Sequence, residues 1–74
     1  MMIKLYREMK DYGVSMESYP GLIHDVVNFV FIKDDVNRLV HVADFETMEN
    51  DPELVETILI SELHDFLHRY FGIE

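Results

Sequence analysis

From Asp51-Pro52 to Gly72, apolar residues return every three or four positions, and this run constrains everything else the chain can do. Asp suits a helix N-cap because its carboxylate accepts orphan backbone N–H groups, and Pro suits the first helical position, where no N–H is needed. Glu53 and Glu56 follow near that end, where the helix dipole favours negative charge. Leu54, Val55, Ile58, Leu59, Leu63, Phe66, Leu67, Tyr70 and Phe71 form a broad apolar stripe, and Gly72 is a stop signal. Ile60 lies off that stripe. A helix of this kind needs a cover, and the remaining residues have to supply it.

They have limited means. A chain of 74 residues is one small domain, expected to bury roughly 60% of its unfolded surface. Its composition, 49% hydrophobic with five Phe and four Tyr, is too apolar for a disordered acidic tail. The absence of Cys removes disulfides and thiolate metal sites. The longest uninterrupted apolar run, Phe29 to Ile32, is far short of a membrane span. Lys4, Arg7 and Glu8 interrupt any signal-like apolar segment, so the expected location is the cytosol.

In chain order, Met2, Leu5, Tyr6, Met9 and Tyr12 share one face of a short helix that Gly13 should end in a left-handed cap. Val14 to Ser18 is a candidate short strand, and Tyr19-Pro20-Gly21 a turn. Val26 to Lys33 is the clearest strand, rich in β-branched and aromatic residues. Phe29 and Phe31 point one way, Val30 and Ile32 the other, which predicts a central strand covered on both faces. Asp34 to Asn37 supplies a four- or five-residue hairpin loop, with Leu39 to Ala43 as the partner strand. His41 would fill the sheet face beside Phe29 or Phe31, and His24 is isolated. Asp44 to Asn50 reads as an acidic loop anchored by Phe45 and Met48. Residues 1–74 thus form a single acidic α+β domain: a short N-terminal helix, a two- to three-stranded antiparallel meander, and a long amphipathic C-terminal helix packed on the sheet. An open sheet edge and the spare Ile60 leave room for a homodimer without showing one.

The net charge is −9, and between Arg38 and Arg69 eight Asp and Glu residues occur without one Lys or Arg. Direct nucleic-acid binding is disfavoured, because its dominant backbone term would be repulsive. A basic partner is favoured instead. Asp34, Asp35, Asp44, Glu46, Glu49, Asp51, Glu53 and Glu56 could form a spaced row of carboxylates that stands in for phosphates before Lys and Arg side chains. The plain alternative is an acidic face that only keeps the protein in solution.

Catalytic signals are thin. His64 and His68 share a helix face in a pattern loosely similar to HExxH, with Asp65 in the Glu position. No third ligand is signalled, and the shorter Asp would hold a water differently, so neither metal nor other cofactor is expected. Ser15, Ser18 and Ser61 lack a nucleophile elbow, and only three glycines argue against a phosphate-cradling loop. The expectation is a non-enzymatic protein.

The segments LYREMKDYGVSM, NFVFIKDDVNRLVHVADFE and NDPELVETILISELHDF together resemble the small acidic anti-CRISPR proteins of phages and mobile elements, nearest the type II-A inhibitors of α–β–β–β–α order. The resemblance lies in order, size and charge. It implies a DNA mimic whose acidic surface plugs the site where an RNA-guided nuclease reads its adjacent DNA motif. That family tends to have more than one C-terminal helix, whereas the periodicity here gives one. The leading functional expectation is therefore a protein inhibitor of a basic nucleic-acid-handling protein, such as a CRISPR nuclease. The alternative is a regulatory interaction module that self-associates or docks a partner through apolar surface. A hydrolase built on His64 and His68 is the remote third.

Overall fold

The computed structural model describes residues 2–20 and 26–73. Helix α1 (Ile3–Tyr12) leads into strands β1 (Ser15–Pro20), β2 (Val26–Lys33) and β3 (Val36–Asp44), then helices α2 (Phe45–Asn50) and α3 (Pro52–Phe71). The strands form one antiparallel sheet in the order β1-β2-β3, so the fold is α+β with β2 central, as its composition predicts. The expected turn residue Gly21, and His24, lie outside the described residues, as does the side chain of His41.

The core is built on one face of the sheet. Val27, Phe29 and Phe31 of β2, with Val40 of β3, meet Leu5 and Met9 of α1 and the α3 side chains Val55, Leu59, Leu63, Phe66 and Leu67. Phe66 is the aromatic hub: its ring lies 5.8 Å from Phe31, and 5.6 Å from both Tyr70 and Phe71. The buried ridge of α3 is narrower than the sequence stripe, since Leu54 and Tyr70 are largely exposed. Ile60, in contrast, packs partly against the core. It stands one turn from Glu56 and one from His64, both of which touch α1, so the neighbouring helix absorbs this residue.

Three expectations need correction. Among the described residues, β2 is covered by helices on one face only: Val26, Val30 and Ile32 are half-buried and lie outside the core cluster. The segment after β3 is not a loop but the helix α2, because Asp44 caps it, its Oδ1 accepting the Thr47 N–H at 2.7 Å. β1 runs through Tyr19 and Pro20, the residues expected to turn; Pro is tolerated there because β1 is an edge strand.

The β2–β3 hairpin is also tighter than predicted. Its loop is only Asp34-Asp35, with φ of 47° and 69°. Two positive φ values define the turn whose twist matches paired strands, a position that favours Asn-Gly or Asp-Gly. Asp tolerates the left-handed region better than most side chains but less well than Gly. Asp35→Gly should therefore raise the thermal midpoint by several degrees, about 4–8 °C per kcal/mol gained in a domain of this size. Thermal unfolding followed by circular dichroism checks this.

Candidate functional site

Helices α1 and α3 run in the same direction. Leu5 meets Glu56, Glu8 meets His64 further along, and Tyr12 shares a cleft with Leu67 and Ile73 at the far end. Both helices thus begin at the end of the sheet where β3 finishes, and both end near the Asp34-Asp35 turn. The molecule has two unlike poles.

The turn pole is mixed in charge. Lys33 Nζ donates to the Tyr12 carbonyl at 2.6 Å and lies 5.4 Å from the Phe71 ring centroid, so a cation sits at the negative end of α1. Arg38 lies over Tyr70, 5.9 Å from its centroid. Asp34 and Asp35 are exposed here, between these two cationic residues in sequence.

The opposite pole is acidic. Asp44, Glu46, Glu49, Asp51 and Glu53 are all exposed on the corner formed by α2 and the start of α3. Nine chain steps along β3 separate Asp35 from Asp44, about 30 Å at 3.3 Å per residue. The candidate row is therefore divided: five carboxylates gather at one pole and the turn pair stands at the other. The local spacing at the acidic pole follows from helix geometry, with Glu46 and Glu49 three residues apart and their Cβ atoms about 5–6 Å from one another.

Several of these carboxylates also hold the fold together. Asp44 caps α2. Asp51 closes α2 by donating its N–H to the Thr47 carbonyl at 2.8 Å and opens α3 by accepting the Leu54 N–H at 3.2 Å. Glu56 leaves the row altogether. Its Oε2 accepts the Leu5 N–H at 3.2 Å, across 51 residues of sequence. The N-cap of α1 is Met2, whose side chain offers no capping oxygen, and the helix has no acidic residue in its first turn. Glu56 supplies from α3 the cap that α1 lacks. Among the described residues, no carboxylate of the row is paired with Lys or Arg.

His64 and His68 do not form a metal site in the described residues, where no cluster of three or more His, Asp or Glu ligands occurs. His64 Nε2 instead contacts Glu8 Oε1 at 2.6 Å. The pair borders a cleft of about 270 Å³ with Tyr12, Leu67 and Ile73. That volume is below the roughly 300–1,000 Å³ of small-molecule sites, and no Ser lines it. The arrangement ties α1 to α3. Neither Glu8 nor the capping use of Glu56 is visible in the sequence; the one available signal is that Met2 is a poor N-cap. Among the described residues, no helix is long and apolar enough to cross a membrane. No family model, curated protein or solved structure matches the chain.

Two expectations follow from the caps. Glu56→Ala should destabilise the fold by about 1 kcal/mol, the usual loss on removing a cap, while Glu56→Gln retains an acceptor and loses less; urea unfolding measures both. Hydrogen bonds from Thr47, the backbone N–H first, hold the Asp44 carboxyl below the usual Asp range. The cap is thus complete above that range and is lost as pH falls through the lowered value. The protection of the Thr47 amide against exchange, taken relative to its intrinsic rate at each pH, should fall on acidification, and Asp44→Asn should flatten that dependence.

Proposed function

We propose that the chain is a non-enzymatic binding protein whose acidic pole occupies the nucleic-acid groove of a basic partner. The observation that carries this reading is the gathering of five exposed carboxylates, Asp44, Glu46, Glu49, Asp51 and Glu53, on one helix–helix corner. Asp34 and Asp35 stand at the other pole and Glu56 is engaged by α1, so the proposed contact is drawn from the five carboxylates of the corner rather than from these three. The pole also exposes Phe45, at 47%, an apolar anchor in an acidic surround. An aromatic anchor with a charged rim is a common form of protein–protein contact.

The charge would steer a Lys- and Arg-rich groove onto the pole, giving fast, salt-sensitive association. Guanidinium groups placed for phosphate oxygens accept carboxylates in the same geometry. The specific form of the proposal is an antagonist of an RNA-guided nuclease, of the anti-CRISPR kind, acting in the cytosol of a host cell.

The test spares the capping residues. Glu46→Lys, Glu49→Lys and Glu53→Lys are combined, and duplex DNA cleavage by an RNA-guided nuclease is measured at low and raised salt. Wild-type protein in molar excess should suppress cleavage, salt should relieve that suppression, and the triple variant should lose it with an unchanged circular dichroism spectrum. Unimpeded cleavage with wild type would exclude the nuclease as partner. Suppression that survives the triple reversal would exclude the acidic pole.

A further inference from the structure

The central strand carries apolar side chains on both faces, but the described helices cover only one. An antiparallel sheet with one face in water places polar residues outward. Here the outward residues of β2 are Val26, Asn28, Val30 and Ile32, three of them apolar. By register, Val30 lies between Glu17 of β1 and Leu39 of β3, and Ile32 between Ser15 and Asn37. Leu39 is 59% exposed and Tyr19 48%. The strand has the composition of one buried on both sides, and the described helices supply half of that burial.

Charge narrows the choice of cover. The chain has 15 Asp and Glu residues, yet among the described side chains on this face the charges are two, Glu17 and, at the far end of β3 beside Val26, the α2 cap Asp44. Glu17 is the one within the body of the sheet. It sits at the β1 margin and accepts a hydrogen bond from the Tyr19 hydroxyl. A basic partner would be drawn to the acidic pole and not to this face. For two chains of net charge −9, by contrast, it is the surface on which they can meet with least repulsion. Depletion of charge with retention of aliphatic and aromatic side chains is also the signature of an interface core.

We propose that a second copy of this chain covers the face, sheet against sheet, in a two-fold symmetric four-layer sandwich. Packed sheets stack about 10 Å apart, and the helix layers then face outward on both sides. The acidic residues of α1 and α3 lie beyond the two sheets, further apart than the Debye length of about 8 Å at physiological salt. Three strands, with eight residues in β2, make a face of roughly 14 by 26 Å. Two such faces with their side-chain relief bury on the order of 1,000 Å², the lower bound for a specific interface. This predicts a dimer that dissociates within the micromolar-to-millimolar range, and it stands independently of the acidic pole.

Sedimentation equilibrium across that range should show the mass rising to twice that of the protomer. Val30→Thr combined with Leu39→Lys should weaken association by roughly tenfold or more. The Glu46→Lys, Glu49→Lys, Glu53→Lys protein should still dimerise. Because the chain has no Cys, Asn37→Cys and Asp65→Cys each give a single spin-label site in an otherwise wild-type protein. The Asn37 label on the sheet face should report a short intermolecular distance, and the Asp65 label on the helix layer a long one. A protomer mass at every concentration, a dimer indifferent to the face substitutions, or the reverse order of label distances would overturn the proposal.

Discussion

The contact between Phe66 of α3 and Phe31 of β2 is the interaction on which the rest of the structure depends. Both rings are almost wholly buried, and their contact joins the long helix to the middle strand. Among the described residues, the most deeply buried large side chains are Val55, Leu59, Leu63, Phe66 and Leu67 of α3, joined by Phe31 and Leu5 from other elements. Each such burial stabilises the fold by about 1.5–3 kcal/mol. A domain of this size has a net stability of only a few such side chains. The sheet and the first helix are organised to cover this one ridge, and their other surfaces are left for whatever the protein meets.

The acidic character of the chain has two origins that the fold separates. One part serves helix starts: Asp44 and Asp51 cap their own helices, and Glu56 caps its neighbour. Another part, Glu46 and Glu49 above all, makes no hydrogen bond with the described residues and simply projects. A capping carboxylate still presents negative charge, so structural and binding roles coexist on one corner. This is why charge reversal has to be confined to the projecting residues if binding is to be distinguished from folding.

Much of the architecture is legible in the sequence because it is locally encoded. Val26–Lys33 has the strand bounds its β-branched content implies, and Asp51-Pro52 and Gly72 bracket α3 as capping chemistry requires. Gly13 takes the left-handed cap at φ 68°. The failures share a cause as well. Whether Asp44 begins a loop or a one-and-a-half-turn helix is a small free-energy difference that composition does not resolve. The positive φ of Asp34 and Asp35 replaces the glycine that a sequence reader looks for. The Glu8–His64 contact and the Leu5–Glu56 bond span 56 and 51 residues, and no local pattern announces a partner that distant. The division of the acidic row was hidden for a related reason: neighbours in sequence stood on either side of a strand about 30 Å long.

The borrowed cap of α1 has a consequence for how the molecule opens. An amphipathic helix of ten residues is too short to persist alone in water. Its first-turn N–H at Leu5 is satisfied only when α3 is docked alongside. Fraying at the beginning of the chain is therefore coupled to the seating of its last long element, and the two are expected to exchange their amide protons as one cooperative unit. Anything that pulls on α3 will be felt first at the opposite end of the sequence.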